Sequence, residues 1–372
     1  MVKQVMTNDV TPHVRMKLSD FESIKTKIED FGGNNTMKAV GYIQQQAGLG
    51  VEGLIDLELP VPVPGPKDIL VRVQAIAINP RDIKMRGSQR ASAESPRVLG
   101  WDAAGIVEAV GSEVTGFAKG DHVLYAGNML KPGANAEFHL VDARIAGQVP
   151  KGLSFADAAS LPLATLTAWG MLFDRLGLPR SGGQGRNLLI LGGAGGVATM
   201  AIQLARQFTD VTVIASASRP ESQAWIRKMG AHHVISHQDD IAAQIKSQKL
   251  GPVHWIFSMN TTPASFTAMA AVAAPYGKIG FIDEPEGLDV NLLKPKSLSL
   301  HAEAVFTKPI FETDDIGQQR CVLEDVAQKI ADGTLQSPVN AHFGTINAEN
   351  LRRAHQAIES GTSIGKVVLE GF

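Results

Sequence analysis

Residues 188–206, LLILGGAGGVATMAIQLAR, decide the fold of this chain. The part from Leu188 to Ala205 has no charged residue, so it suits three different structures: a membrane-spanning helix, a buried core segment or a loop that holds a phosphate. A membrane span needs about 20 apolar residues in one continuous helix. Four of the five residues 192–196 are glycine, and a glycine inside a helix costs about 1 kcal/mol relative to alanine. The membrane-spanning alternative is therefore rejected.

Two shorter elements fit this stretch better. Residues 187–191 form a short apolar run of the kind found in strands that are buried on both faces. Beyond the glycines, apolar residues recur at the spacing of one helical face; they are Val197, Met200, Ala201, Leu204, Ala205 and Phe208. The sequence thus predicts a strand, a glycine turn and a helix, in that order.

The composition excludes several classes of protein. The chain has 372 residues, enough for two domains, and its 44% hydrophobic content and net charge of −2 are ordinary for a globular protein. Such a balance gives no reason to expect a nucleic-acid partner, which would need clustered basic residues, or a membrane partner. Cys321 is the only cysteine, which excludes an internal disulfide and a multi-cysteine zinc site. The first twenty residues lack the apolar core of a secretory signal, so we expect a cytoplasmic protein.

The pattern changes along the chain in a way that indicates domains. Residues 1–36 hold apolar side chains at helical spacing between positions 18 and 31, which predict an appended amphipathic helix or a partly disordered leader, with a partner-binding helix as the alternative. From Met37 onward short β-strands dominate. Strands and helices then alternate from Asn187 to about Ala304, and repeated β-α units indicate a parallel sheet covered by helices on both faces. The last strand, KVVLEGF, is expected to return to the first domain.

The glycine turn has the spacing of a dinucleotide-binding loop, G-x-G-x-x-A. Gly193 would make the tight turn, Gly195 would let a pyrophosphate approach the backbone, and Ala198 would permit close packing of the helix on the strand. The helix N-terminus offers free N–H groups and a partial positive charge to the phosphates. A purely structural glycine turn is the alternative. The predicted cofactor-binding loop consists of Gly193, Ala194, Gly195, Gly196, Val197 and Ala198.

The end of the next strand favours NADPH over NADH. An NAD-binding site has an acidic residue about 20 positions after the glycines, where it binds the ribose 2′-hydroxyl. This chain has Ser216, Ser218 and Arg219 there, and no acid before Glu221. A guanidinium can pair with a 2′-phosphate. The alternative is that Arg219 is a solvated side chain at the start of a helix.

Three further motifs show a resemblance to the medium-chain dehydrogenase/reductase superfamily. GWDAAGIVEAVG at 100–111 is similar to the family's G-x4-G-x-V-x2-V-G signature, FAKGDHV follows at 117–123, and LTAWGML precedes the glycine loop in the family's order. The chain most resembles the quinone-oxidoreductase branch and the proteins named zinc-type alcohol dehydrogenase-like. The resemblance implies an α/β fold with a GroES-like, β-rich catalytic domain and a Rossmann domain, a doubly wound parallel sheet that binds NADP. The implied boundaries are 1–36 for the extension, 37–160 and 309–372 for the split catalytic domain, and 161–308 for the Rossmann domain.

The positions of the family's zinc ligands hold other residues in this chain. Zinc-dependent members have a cysteine where this sequence has Asn79, a Gly-His-Glu motif where it has Gly100-Trp101-Asp102, and a lobe of four cysteines that is missing here. A catalytic zinc needs three protein ligands. We therefore expect no zinc or other metal, and a reaction that proceeds without a metal as Lewis acid.

The resemblance places the candidate catalytic residues in INPRDIKMRG. Asn79 would face the nicotinamide and donate its amide to a developing oxyanion, Lys84 would hold enolate charge, and Asp82 would orient the loop. For all three, a loop held by local hydrogen bonds is the alternative. Tyr125 is a candidate proton source, although packing within its strand is the favoured interpretation.

The remaining site residues are also implied by the resemblance. Thr167 would lie beside the nicotinamide, or else bond back to its own helix, and the backbone of Phe281 and Ile282 would lie near the carboxamide. Trp101, Trp169 and Phe306 would form an apolar wall or belong to the core.

Together these features predict an NADPH-dependent oxidoreductase that reduces small-molecule quinones or α,β-unsaturated carbonyls. Conjugation in such acceptors delocalises the incoming charge, so that hydrogen-bond donors suffice in place of a metal. The alternatives are a zinc-type alcohol dehydrogenase and a non-catalytic NADPH-binding sensor or structural protein. The family also suggests a homodimer formed by sheet-edge pairing, with KIGFIDEP as the edge.

Overall fold

The computed structural model describes residues 35–43, 50–88, 91–92 and 95–372. The predicted helix between positions 18 and 31 lies outside these residues. Met37–Phe372 form one unit. In the described residues the strands are β1 (Thr36–Tyr42), β2 (Ile55–Pro60), β3 (Asp68–Ile78), β4 (Arg97–Val98), β5 (Ala103–Val110), β6 (His122–Tyr125), β7 (Phe138–Asp142), β8 (Gly147–Gln148), β9 (Asn187–Leu191), β10 (Thr212–Ser216), β11 (His233–Ile235), β12 (Val253–Ser258), β13 (Ala273–Phe281), β14 (Ser299–Ala302), β15 (Val339–His342) and β16 (Lys366–Glu370).

The helices lie mainly in the second half of the described chain. The α-helices there are α1 (Pro80–Ser88), α2 (Phe155–Ala159), α3 (Pro162–Trp169), α4 (Gly196–Phe208), α5 (Pro220–Lys228), α6 (Ile241–Ser247), α7 (Pro263–Val272), α8 (Thr307–Phe311), α9 (Gln318–Ala331) and α10 (Ala348–Glu359). A π-helical segment, Gly170–Arg175, continues α3. Short 3₁₀ segments occur at Gly50–Gly53, Ala143–Ile145 and Val290–Lys296. None of the helices in these ranges combines the length and apolar character that crossing a bilayer requires.

A six-stranded parallel sheet contains the glycine loop. Its strand order is β11-β10-β9-β12-β13-β14, with every adjacent pair parallel. All five residues of β9 are buried, because the strand lies inside the sheet and helices cover its faces. After the glycines, α4 begins at Gly196 and ends at Phe208. The predicted strand, glycine turn and helix are confirmed, and so is the α/β fold.

The prediction that KIGFIDEP forms the edge of this sheet is wrong. These residues include the end of β13, which pairs with β12 on one side and with β14 on the other. The short strand Ser299–Ala302 therefore takes the edge position. Only four residues long, β14 carries a weak alternation signal, which explains why the sequence did not reveal it.

A second, seven-stranded sheet joins the N-terminal half of the chain to its C-terminus. Its order is β15-β16-β3-β5-β6-β8, with β7 also paired to β3. The final strand β16 runs antiparallel to β3, with Val367 opposite Ile78, so the last strand returns to this sheet as predicted. This pairing brings Lys366, the first residue of β16, next to the point where β3 ends and α1 begins. A three-stranded sheet, β2-β1-β4, completes the β-structure of the described residues.

Candidate active site

The glycine loop forms an open cradle at the N-terminus of α4. Gly192 and Gly193 have φ values of 147° and 77°, a region that favours glycine. A Cβ at Gly193 or Gly195 would meet no described heavy atom within 4 Å apart from its chain neighbours, so the space in front of the loop is open. No described side chain caps the helix at Gly195, and the first N–H groups of α4 have no partners within the helix. The loop therefore fits the pyrophosphate of a nicotinamide dinucleotide.

The predicted 2′-phosphate residues differ in where they lie. Ser216 is fully buried beneath the loop, where its Oγ accepts the Gly192 N–H at 3.3 Å and its carbonyl accepts the Gly193 N–H at 3.1 Å. Its hydroxyl thus supports the loop. Ser218 and Arg219 are partly exposed at the start of α5. Arg219 donates one N–H to the Thr362 carbonyl at 2.6 Å, which leaves other guanidinium N–H groups for an anion.

A buried lysine holds the residues at two of the family's metal-ligand positions together. The Lys366 ammonium donates to Asn79 Oδ1 at 2.6 Å, to Asp102 Oδ2 at 2.7 Å and to the Ile78 carbonyl at 3.3 Å. The Asn79 amide Nδ2 in turn donates to Asp102 Oδ2 at 2.9 Å and weakly to the Ala77 carbonyl at 3.4 Å. Asn79 and Lys366 are each 3% exposed and Asp102 is fully buried. To donate to a substrate oxygen, the Asn79 amide would have to leave one of these partners.

Asp82 fixes the start of α1 from the same buried region. Its Oδ2 accepts the Asn79 backbone N–H at 2.6 Å. Burial raises the pKa of Asp82 to about 7, against the lowering effects of that hydrogen bond and of the Lys366 charge. Burial also raises the pKa of Asp102, and the nearby Lys366 charge opposes that shift. Through this hydrogen bond Asp82 is in a position to orient the loop before α1, and that role stays a prediction.

The residues at the zinc-ligand positions do not fit a zinc ion. Both carboxylate oxygens of Asp102 are occupied, Oδ1 by the Leu163 N–H at 2.6 Å and Oδ2 by Lys366 and Asn79. Trp101 has no atom that ligates zinc. A cation next to a zinc ion would also repel it, and the Lys366 ammonium lies between Asn79 and Asp102. Within the described part of the chain, no group of three His, Cys, Asp or Glu side chains is arranged to hold a metal.

Lys84 lies in a charged cluster at the surface. Its ammonium is 2.9 Å from Glu284 Oε2, and Arg81 Nη1 is 3.1 Å from Glu284 Oε1. The Lys84 side chain is about half exposed and the Glu284 side chain is 70% exposed, whereas the Arg81 side chain is 29% exposed. Glu284 follows Phe281 and Ile282 by only a few residues, so the end of β13 and the first turns of α1 lie side by side. Glu284 was not recognised in the sequence, because an acid in a loop has no pattern.

Tyr125 and His139 pack as a buried pair. The phenol hydroxyl is 3.2 Å from His139 Nδ1, and the two rings stack with centroids 5.4 Å apart. Burial raises the pKa of Tyr125 and lowers the pKa of His139 to about 4. Tyr125 is only 1% exposed. This geometry favours packing within the strand over a proton source for the reaction.

The predicted apolar wall is divided between two places. Trp101 and Phe306 meet edge to face with centroids 6.2 Å apart, whereas Trp169 packs against Phe173 and Phe208. The indole N–H of Trp101 is buried without a partner among the described residues.

Thr167, the residue expected beside the nicotinamide, is buried in α3.

Two family models match the chain. The alcohol dehydrogenase GroES-like domain covers residues 65–166, and the zinc-binding dehydrogenase model covers residues 196–312. Among curated proteins, the zinc-type alcohol dehydrogenase-like protein SAS2087 of Staphylococcus aureus (strain MSSA476) is 39% identical over 311 residues, which are 83% of this chain and 92% of that protein.

Solved structures agree with these matches. A Rhizobium etli CFN 42 protein described as a candidate zinc-dependent alcohol dehydrogenase is 47% identical, with a TM-score of 0.86 over 91% of this chain and 99% of that one. The quinone oxidoreductase from Coxiella burnetii is 26% identical, with a TM-score of 0.74 over 91% of this chain and 100% of that one. A mycobacterial protein solved in complex with NADPH is 26% identical, with a TM-score of 0.76 over 90% of this chain and 99% of that one.

Proposed function

The chain belongs to the medium-chain dehydrogenase/reductase superfamily of oxidoreductases, and from this premise we propose that it reduces quinones or α,β-unsaturated carbonyl compounds with NADPH and without zinc. The observation that carries the proposal is the contact of Lys366 with Asn79 and Asp102. It puts a fixed ammonium among the residues that would otherwise hold a metal. Reactions that need a metal to polarise an alcohol are thereby disfavoured.

A nicotinamide cofactor fits the open loop at Gly193 and Gly195. The choice of NADPH over NADH rests on Ser218 and Arg219, which are partly exposed where an acid would be expected for NADH. Arg219 retains free N–H groups for a 2′-phosphate. The mycobacterial neighbour, which was solved with NADPH, is consistent with this choice.

The reduction requires a hydride and a proton. When bound, the reduced nicotinamide supplies the hydride to the conjugated acceptor, and the solvent supplies the proton that completes the hydroquinone or the saturated carbonyl compound. Negative charge develops on the carbonyl oxygen during this step. We assign its stabilisation to the Lys84 ammonium, which would exchange its exposed contact with Glu284 for the substrate oxygen, whereas the Asn79 amide is buried and bonded to Asp102. The likeness to the Coxiella burnetii quinone oxidoreductase supports a quinone as the acceptor.

Three further parts of the proposal concern the whole molecule. We keep the domain boundaries at residues 37–160, 161–308 and 309–372, with 1–36 as an extension. We also propose a homodimer, for which the open sheet edge at Ser299–Ala302 is the candidate surface. A cytoplasmic location is supported by the single cysteine of the chain.

The test is the oxidation of reduced cofactor, followed by its loss of absorbance, against a panel of acceptors. The panel contains a naphthoquinone, an ortho-quinone, a 2-alkenal and a simple aldehyde, each with and without a zinc chelator and with NADH as the control cofactor. We expect chelator-insensitive turnover of a quinone or the alkenal, with NADPH preferred. Turnover of the simple aldehyde alone, abolished by the chelator, would identify a zinc-type alcohol dehydrogenase instead. Cofactor binding with no turnover would support the non-catalytic sensor.

A further inference from the structure

The Lys366 side chain spans the distance between the cofactor loop and the residues before α1. At one end its ammonium uses all three N–H groups, on Asn79 Oδ1, Asp102 Oδ2 and the Ile78 carbonyl. Because Asn79 Oδ1 accepts from an ammonium, the orientation of the Asn79 amide is fixed, with Nδ2 toward Asp102. Its backbone N–H meanwhile holds Asp82 at the first turn of α1.

At the other end the Lys366 stem lies directly beneath the glycine loop. A Cβ added to Gly196 would lie 2.6 Å from Lys366 Cδ, closer than side chains approach one another. The next atom is Lys366 Cγ at 3.2 Å, which is also a tight contact, whereas the Ala164 Cβ at 3.5 Å is at ordinary contact distance. Gly365, the residue before Lys366, donates its N–H to the Ala194 carbonyl at 2.7 Å and pairs with Gly195. The absence of a side chain at Gly196 is therefore matched to Lys366.

We propose that Lys366 is a positioning residue that couples the cofactor loop to the Asn79 amide and, through Asp82, to α1 with its Lys84. The proposal rests on the proposed function, because it assumes that the cofactor binds at Gly195 and Gly196. A displacement of the loop moves the stem, and the ammonium transmits that movement to Asn79. The contacts are contiguous, from Gly196 through Lys366 and Asn79 to Asp82, as a physical coupling requires.

The buried charge of Asp102 determines how the coupling can be tested. Removing Lys366 alone would leave the Asp102 carboxylate buried without a counter-charge and would destabilise the protein for that reason. We therefore use two matched backgrounds that both carry Asp102→Asn. Lys366→Met keeps an unbranched stem with an atom at the δ position, whereas Lys366→Ala removes that atom. The two backgrounds carry the same charge.

The experiment places Gly196→Ala in the wild type and in both backgrounds. Three quantities are measured: the thermal midpoint of the cofactor-free protein, the Kd for NADPH in the absence of acceptor, and kcat and KM at saturating NADPH. Gly195→Ala serves as the comparison in the loop, because its Cβ meets no described atom and hence not Lys366. Gly317→Ala, whose Cβ also meets nothing at the start of α9, controls for adding a methyl group to the protein.

We expect Gly196→Ala to weaken NADPH binding about tenfold or more in the wild type and in the Lys366→Met background, since the methyl group overpacks against the stem. In the wild type and in the Lys366→Met background, Gly196→Ala should also lower the thermal midpoint of the cofactor-free protein. In the Lys366→Ala background it should change the Kd less than about twofold and leave the thermal midpoint nearly unchanged. Gly195→Ala should weaken binding equally in all three. In the wild type, Gly196→Ala should also lower kcat at saturating NADPH with little change in acceptor KM.

Two results would overturn the proposal. One is an effect of Gly196→Ala on Kd and on the thermal midpoint that is the same in the Met and Ala backgrounds, since the stem would then not be the obstacle. The other is an unchanged kcat at saturating NADPH, which would leave Lys366 a structural residue only. A failure of the proposed function would give a different result, in which no variant turns over any acceptor. The Kd for NADPH and the thermal midpoint would still show whether Gly196 contacts the Lys366 stem.

Discussion

Replacing Asp82 with asparagine should make the protein more stable at neutral and alkaline pH. Asp82 is fully buried beside Asp102 and Lys366, and its pKa of about 7 lies above its usual value of 3.8. The folded protein therefore holds a proton that the unfolded chain has already released between about pH 4 and pH 7. Stability from this group is complete below the unfolded pKa and is lost as the pH rises through the folded pKa.

The magnitude follows from the difference between the two pKa values. Each pKa unit corresponds to about 1.4 kcal/mol, so ionising Asp82 in the folded protein costs about 4 kcal/mol at pH 8. Asparagine accepts the same backbone N–H but does not ionise. Its stabilising effect should therefore be smallest near pH 4, rise by about 1.4 kcal/mol per pH unit, and level off above pH 7 at up to about 4 kcal/mol.

The dependence of the wild-type free energy of unfolding on pH would not by itself reveal the contribution of Asp82. His139 has a pKa lowered by burial to about 4, so it contributes with the opposite sign: stability is lost as the pH falls from about 6.5 to 4. Between about pH 4 and pH 6.5, the loss of stability from Asp82 with rising pH and the gain from His139 therefore partly cancel. The useful quantity is the difference between wild type and Asp82→Asn, measured by urea unfolding followed by tryptophan fluorescence at half-unit steps from pH 4 to pH 8. A difference that does not change with pH would refute the claim that Asp82 is protonated in its buried site.

Three other substitutions test the assignments at the site. Arg219→Gln should lower kcat/KM for NADPH by about 10- to 100-fold through the loss of a charge-assisted hydrogen bond, and should leave the value for NADH nearly unchanged; an equal loss with both cofactors would contradict the assignment. Tyr125→Phe removes the hydrogen bond to His139 and should cost about 1–2 kcal/mol of stability in urea unfolding; a kcat lowered a hundredfold would instead place the phenol in the chemistry. Lys84→Met should lower kcat by about tenfold or more while the Kd for NADPH is unchanged. Because its ion pair with Glu284 is exposed, the thermal midpoint should stay within a degree or two; unchanged kcat would show that the ammonium takes no part in the reduction.

Local pattern was sufficient to predict the cofactor half of the molecule. The strand at Asn187–Leu191 and the helix at Gly196–Phe208 have the periodicities of their elements, and the glycines between them have a fixed spacing. Such signals lie within one short stretch, so no tertiary information is needed to read them. The exception was the sheet edge, since β14 is too short to compete with KIGFIDEP as a pattern.

The network around Lys366 could not be predicted, because it joins residues far apart in the chain. Lys366 contacts Asn79 across 287 positions and Asp102 across 264. Its location follows from the antiparallel pairing of β16 with β3, which a single sequence does not specify. One signal was available: a lysine at the start of the apolar run KVVLEGF. A charged side chain at a buried position must find partners, and that requirement could have singled it out.

The same limit applies to Tyr125 and Asn79. The position of Tyr125 on β6 was evident, but its partner His139 lies on β7, which pairs with a different strand. Asn79 was recognised at a metal-ligand position. Its bonds to Asp102 and Lys366, which occupy the amide, became visible only in three dimensions.

The most direct test of the central claim is the zinc content of active enzyme. Purified protein is dialysed against a chelator, its zinc is measured by elemental mass spectrometry, and the specific activity with NADPH and a quinone is measured on the same samples before and after zinc is added back. If Lys366 takes the place of a metal between Asn79 and Asp102, activity will be unrelated to zinc content and will not rise on adding zinc. One tightly held zinc per chain, with activity that rises and falls with it, would contradict the account.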